Sequence, residues 1–382
     1  MGKKQTSMRV LAAISAVAVL VGCAASASAR TGGLQRDLDA VRDFGVTGVQ
    51  AEIVRGEHRE TARSGVADIA TAQPVPLDGY FRAGSVTKTF IATVVLQLVS
   101  EGRIGLDDTV GRWLPDLVAG KGNDGHRVTV RDLLQHTSGL HSYTDDLVMD
   151  TPDGYPASRF RHYTAPELVG MAMRKAPEFR PADRRWSYSN TNYVLAGMLI
   201  QRVTGRDWTA EVGDRILRPL GLNHTFAPGD VPFLPDPHAK GYSRFPNTTE
   251  LVDTTVDNMS WASSAGELVS TTRDLGTFFR ALQQGKLLRG AEFAEMHRTV
   301  PADAWQEIDP GSRYGLGLGW YPLPCGGGFW AHGGDTLGYM TRAAVTDDGT
   351  RSVVLSLSSE LEGEPQKTQN TLARTVVEHA LC

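Results

Sequence analysis

The chain has 382 residues, enough for a large core and for two domains or one domain carrying an insertion. Its 39 basic and 43 acidic residues give a formal net charge of −4, and like charges are nowhere gathered into a long block. That balance argues against nucleic acid as a partner and for a small-molecule or peptide substrate.

The N-terminus does not belong to the fold. A basic start, "MGKKQTSMR", precedes the apolar run "VLAAISAVAVLVG", which has signal-sequence length and is short for a membrane span. Export is expected, as a secreted protein or a cell-surface lipoprotein. "LVGC", ending at Cys23, resembles a bacterial lipobox, and Ala27-Ser28-Ala29 resembles an ordinary cleavage site; the lipobox is favoured, with a lipid on Cys23 as the only membrane contact. Three cysteines in an exported chain leave one odd, so with Cys23 set aside a disulfide between Cys325 and Cys382 is expected. Residues 1–30 are assigned to the signal sequence and 31–382 to one catalytic domain, expected to be a monomer.

Leu34 to Phe44 reads as a helix, and "GVTGVQAEIVRG" with "ETARSGVADI" reads as an N-terminal hairpin. "SVTKTFIATVVLQLVSEG" is apolar on nearly every face and stops at Gly102, which predicts a buried helix with Ser85 at its start. From about 101 to 295 the pattern is mostly helical, as in "VRDLLQHTSG", "APELVGMAMRKA", "TNYVLAGMLIQRVTG" and "TRDLGTFFRALQQG". Strands return with "YGLGLGWYPL", "GFWAHGGDTLGYMTRAAVTDDG" and "TRSVVLSLSS", and "TQNTLARTVVEHAL" closes as a helix. The sheet is therefore assembled from about 34–100 and 296–382 with a helical region inserted between them, an α/β (α+β) arrangement whose junction is a natural place for a site.

Three short stretches carry chemistry. In "GSVTKTF", Ser85 and Lys88 lie three apart at a helix N-terminus and share a face. Lys88 cannot easily reach water from an apolar helix, and a lysine neutralised by burial can take the proton of a serine. In "YSNTNY", a tyrosine phenol at Tyr188 can relay a proton and the amide of Asn190 can hold a substrate carbonyl. "AHGGDTLGYM" sets His332 two positions before Gly334. No metal-ligand spacing is visible.

In the order Ser-x-x-Lys, Tyr-x-Asn, His-x-Gly, these stretches resemble the serine β-lactamase and penicillin-binding-protein superfamily. The resemblance is nearest to the branch of class C β-lactamases and D-alanyl-D-alanine carboxypeptidases. "LLQHTSGL", "GRIGLDDTVGRWLP" and "MSWASSAG" extend it over roughly residues 35 to 382. It implies a β-lactamase/transpeptidase-like fold, an antiparallel sheet flanked by helices, and a serine hydrolase with no metal or organic cofactor. Ser85 would be the acylated nucleophile, Lys88 its base or hydrogen-bond partner, Tyr188 the proton relay and Asn190 the holder of the substrate amide. The backbone N–H groups of Ser85 and Asp335 would form the oxyanion hole. His332 would donate a hydrogen bond to the tyrosine and serine network, and Gly334 would allow close approach of substrate. Trp261 resembles a cleft aromatic, though a core tryptophan is equally expected; Tyr143 and Thr151 would border the cleft, and His136 reads as structural.

The chain departs from the carboxypeptidases where those grip a substrate carboxylate. Gly333 and Asp335 share one face of their strand and stand where hydroxyl residues are usual, and "YGLGLGWYPLPC" carries no arginine. An aspartate about 4 Å from a carboxylate repels it by roughly 4 kcal/mol at an effective dielectric of about 20. Arg313 and Arg342 are the cations that could cancel this. The expected function is an exported D-alanyl-D-alanine carboxypeptidase-like or β-lactamase-related hydrolase, acting on a peptidoglycan stem peptide or a β-lactam. The alternatives are an esterase, amidase or D-aminopeptidase-type hydrolase on substrates lacking the carboxylate, and a non-catalytic penicillin-binding surface lipoprotein.

Overall fold

A computed structural model describes residues 33–306, 309–361 and 363–382. The expected signal sequence and the expected lipidation at Cys23 lie outside the described residues. Among those described, no helix is long and apolar enough to cross a membrane.

Eight strands form one antiparallel sheet. In chain order they are β1 (Gly48–Arg55), β2 (His58–Gly65), β3 (Val300–Pro301), β4 (Arg313–Tyr314), β5 (Gly319–Pro322), β6 (Gly328–Thr336), β7 (Tyr339–Thr346) and β8 (Arg351–Leu357). Their spatial order is β2-β1-β8-β7-β6-β5-β4-β3, so the N-terminal hairpin pairs through β1 with the last strand of the chain. The sheet is thus assembled from both ends of the sequence, as the expected insertion requires.

Alternation along the central strands divides the core in two, because successive side chains of a strand point to opposite faces. Val353 and Leu355 of β8 join helix α1 (residues 33–43) and the C-terminal helix α5 (Glu364–Leu381) on one face. Val354 of β8 and Ala343 and Val345 of β7 face the larger cluster, built on helices α2 (Thr87–Ser100), α3 (Asn190–Thr204) and α4 (Thr272–Gln283). Helix α2 is buried on almost every side, from Thr87 through Leu96. That all-round burial explains its apolar composition and leaves its single lysine to be accommodated inside the protein.

The inserted region is less purely helical than its pattern suggests. Short strands occur at Tyr242–Arg244 and Val252–Asp253, the former pairing in parallel with Ser359–Leu361, and a further pair lies at Ala119–Gly120 and Asn123–Asp124. Runs of two or three residues are too short to display a period of two.

Cys325 and Cys382 form the expected disulfide, with Cα atoms 5.9 Å apart, joining the turn after β5 to the end of α5 across 57 residues of chain. Closing a loop of that size restricts the unfolded chain by about 4 kcal/mol in the chain-entropy account. Replacing both cysteines by serine is expected to lower the free energy of unfolding by about 2–4 kcal/mol, measured by urea titration. An unchanged midpoint would mean that packing alone holds α5.

Candidate active site

Ser85 lies in a single helical turn, Gly84–Val86, that leads into α2, and is itself only half-buried and so open to a ligand. One turn on, Lys88 is wholly enclosed, and its Nζ stands 2.9 Å from Ser85 Oγ, 2.7 Å from Asn190 Oδ1 and 2.6 Å from the carbonyl oxygen of Ala265. Burial holds its pKa well below the ordinary lysine value. A neutral amine has two N–H donors and one lone pair. The two carbonyl-type oxygens can only accept, so they take the two N–H groups and leave the lone pair directed at the Ser85 hydroxyl. The arrangement is that of a base hydrogen-bonded to a nucleophile.

Tyr188 and Asn190 flank the N-cap of α3. Asn190 is held at both ends of its amide, accepting from Lys88 and donating from Nδ2 to Thr144 Oγ1 at 3.0 Å. The Tyr188 ring stacks at 4.3 Å on the imidazole of His136, whose Nδ1 accepts the backbone N–H of Ser189 and the side-chain amide of Asn192. His136 therefore anchors the loop that carries the tyrosine, the structural part expected of it. Burial raises the Tyr188 phenol far above the usual tyrosine range, with the nearby Ser85 hydroxyl acting the other way. The two shifts run in opposite directions, the phenol favouring its protonated form and the lysine its neutral one, as a proton donor beside a base would require.

The glycines of "HGGD" each admit a different neighbour. A Cβ on Gly334 would stand 1.9 Å from the Ala83 carbonyl oxygen and 2.9 Å from Ser85 N, so this glycine lets the nucleophile turn press against β6. Gly84, at φ +54°, completes the contact from the other side, its own absent Cβ 2.9 Å from Asp335 N. The close approach at Gly334 is thus made by the protein backbone, where approach of substrate was expected. Pairing of β5 with β6 ends at Ala331, which leaves residues 332–336 as an edge beside Ser85, with the N–H groups of Ser85 and Asp335 brought to one place.

Gly333 makes room for Arg342, which lies opposite it on β7 and whose Nη1 would be 3.0 Å from an added Cβ. The guanidinium binds Asp335 at 2.6 Å, the carbonyl of Thr341 at 2.8 Å and Asn370 Oδ1 at 2.5 Å. Asp335 is therefore not an isolated charge, and the full repulsion expected of it does not apply. The arginine on a neighbouring strand that the sequence lacked at "YGLGLGWYPLPC" is present on the other flank of β6. Arg313 plays no part, since its guanidinium is taken by Thr299.

These residues open into a cleft of about 520 Å³ lined by Ser85, Tyr188, Asn190, His332, Asp335 and Arg342, with Trp305 and Tyr321 as aromatic walls. Comparison with known proteins agrees with the geometry. Residues 34–378 match the sequence profile of the family described as Beta-lactamase. The chain belongs to the beta-lactamase family. Within that fold, it is 41% identical to a D-stereospecific amidohydrolase from Streptomyces sp., with a TM-score of 0.82 over 88% of this chain and 96% of that one. It is 30% identical to a D-amino acid amidase from Ochrobactrum anthropi SV3, with a TM-score of 0.79 over 92% of this chain and 98% of that one. Penicillin-binding protein 4 from Amycolatopsis lactamdurans is 30% identical over 318 residues, 78% of this chain and 79% of its own length.

Three further residues are placed differently from expectation, and Trp261 takes the second of its two expected places. His332 does not donate to Tyr188: its Nδ1 lies 2.6 Å from the Gly333 carbonyl, which can only accept, so Nε2 is left to accept from Tyr314 Oη at 2.9 Å. Burial, with Lys88 adding to it, lowers the imidazole to about 3, so the ring is neutral and buttresses the aromatic wall. Trp261 packs between two core clusters, with its indole N–H on Asp257, and does not line the cleft. Thr151 caps a local turn through Gly154 N, and Tyr143 is buried with its hydroxyl on the Trp261 carbonyl. Trp305, Tyr314, Tyr321 and the Ala265 carbonyl are site components that the motifs did not reveal.

Gly334→Ala is expected to lower kcat/KM by about a hundredfold or more, the scale of losing an oxyanion donor, because its Cβ meets backbone that cannot yield. Gly333→Ala meets only the flexible end of Arg342 and is expected to keep most activity. Steady-state kinetics on a nitrophenyl ester compares the two; equal losses would contradict the separate assignments.

Proposed function

We propose that the chain is a serine amidohydrolase that forms a Ser85 acyl-enzyme on amides or esters of D-amino acids bearing a free amino group. One observation carries the reading: the cations lining the cleft are already paired. Arg342 is taken by Asp335 and Asn370, and Arg374 by Asp309 and Glu378. Among the described residues, no lining cation is left unpaired to bind the carboxylate of a penicillin or a D-Ala-D-Ala peptide. Of the Asp335–Arg342 pair, the carboxylate is the more exposed partner, 43% against 21%, and it suits a substrate ammonium. The two amidohydrolases quoted above support the same substrate class. The order drawn from the sequence, with D,D-carboxypeptidase activity first, is therefore reversed, although the similarity to a penicillin-binding protein keeps that activity as the second reading. A non-catalytic binding role is disfavoured by the buried Lys88, its pKa held low by that burial, standing 2.9 Å from Ser85 Oγ.

In this reading Lys88 takes the Ser85 proton as Oγ attacks the scissile carbonyl, and the backbone N–H groups of Ser85 and Asp335 bind the oxyanion. Tyr188 passes its proton to the leaving amine and is reprotonated by Lys88. Water then attacks the acyl-enzyme, its proton returns through the same pair, and Ser85 is regenerated. His332 and His136 hold the tyrosine wall and transfer no proton. Export of the mature chain is supported by the disulfide, which persists in oxidising compartments.

Hydrolysis of D-phenylalanine amide, its N-acetyl derivative and a D-Ala-D-Ala peptide tests the proposal. Wild type is expected to prefer the free amine over the acetylated amide by about tenfold, the scale of one charged hydrogen bond. Asp335→Asn should erase that preference and raise cleavage of the peptide, since Arg342 is then released, and Ser85→Ala should cleave nothing. A wild type that favours the D-Ala-D-Ala peptide would sink the substrate assignment.

A further inference from the structure

A second cavity, of about 420 Å³, lies between α3, the helix Trp208–Val212 and the segment 260–267. On its wall is Glu267, a residue only 7% exposed, whose carboxyl makes no hydrogen bond or ion pair with any described residue. It caps no helix and takes no part in the chemistry at Ser85. The charged groups acting on it are two acids at the rim: burial first, then Asp207 and Asp230, raise it to about 8.

Neither rim acid is itself free. Asp207 caps the helix Trp208–Val212 through Thr209 N, and Asp230 is bound by His162 at 2.5 Å. A buried acid with acids for neighbours costs stability and returns none, unless something else answers its charge. Among the described residues, no three His, Cys, Asp or Glu side chains come together as a metal ion would require. The remaining walls are mixed, with Trp208, Met198 and Val194 supplying apolar and aromatic surface and Gln201, Ser260 and Ser264 supplying neutral polar groups. A buried, unpartnered acid beside the Trp208 ring, with neutral hydroxyl and amide groups around it and acids at the rim, matches an organic ammonium.

We propose that this cavity is a second binding site, taking a small primary amine with an apolar or aromatic body, with Glu267 as its counter-ion. The site is separate from the cleft and does not depend on the substrate assigned there.

Calorimetric titration of the full mature chain carrying Ser85→Ala and Asp335→Asn tests this, since that background removes turnover and the more exposed acid of the cleft, leaving Asp309 bound to Arg374. The probes are 2-phenylethylamine and the uncharged 2-phenylethanol. The amine is expected to bind at one site, about tenfold or more tightly than the alcohol, and Glu267→Gln to remove that advantage. Met198→Trp, which fills the chamber from its half-buried wall, should abolish binding of both probes, and it decides the matter if Glu267→Gln melts early by circular dichroism. The proposal is overturned if the amine fails to bind, if the alcohol binds equally well, or if the amine binds the folded Glu267→Gln or Met198→Trp variant unchanged.

Discussion

Lys88 is an enclosed amine on a helix buried on almost every side, and the contacts of the site suit the uncharged form that burial favours. Burial alone would favour a neutral lysine, but a neutral lysine with nothing to bond to would be a defect in the core. Asn190 and the Ala265 carbonyl remove the defect by accepting its two N–H groups, and in doing so they orient the lone pair at Ser85. The same three contacts suit the ammonium formed during acylation, because three N–H donors then meet three acceptors. One arrangement therefore serves both protonation states of the base, and little need move between them.

The sheet edge meets the requirement of the other half of the reaction. The proposed oxyanion hole takes its two backbone N–H groups from distant parts of the chain, and the turn before α2 is brought against β6 by the absence of side chains at Gly84 and Gly334. The adjacent Gly333 relieves a different crowding, that of the Arg342 guanidinium lying across the strand. Because strand residues alternate in direction, Gly334 faces the nucleophile while Gly333 and Asp335 face α5 and its Asn370. The side chain of Asp335 can thus answer Arg342 while its N–H serves the reaction.

Much of this was legible in the sequence where the physics is local. Ser85 and Lys88 are neighbours by helical spacing, and the apolar run around them already implied a buried amine. The disulfide followed from an even pair of thiols. The partner of Asp335 was legible too, through the hairpin: Thr336 faces Tyr339 across the Leu337-Gly338 turn, and counting back from that turn sets Arg342 opposite Gly333. The expected arginine was sought on the strand before β6, although the tighter connection lies after it. Trp305, Tyr314 and Tyr321 were not legible, because their place beside Tyr188 depends on packing between segments more than a hundred residues apart. Trp261 was ambiguous in the sequence, its motif suiting a cleft and its type a core, and only the hydrogen bond to Asp257 and its two core clusters show where it packs.

The central claim is that a deprotonated Lys88 activates Ser85, and the pH dependence of Ser85 acylation tests it most directly. The enzyme is mixed with a fluorophosphonate at a series of pH values, and the rate of adduct formation is read by intact mass. Protonation of the lysine removes the base, so the rate should fall as pH drops through its depressed pKa and be level well before the ordinary lysine range, about 10.4. His332, neutral down to about 3, should not contribute to that limb, which His332→Asn would leave in place. A rate still climbing through pH 10, or an adduct that persists in Ser85→Ala, would contradict the account.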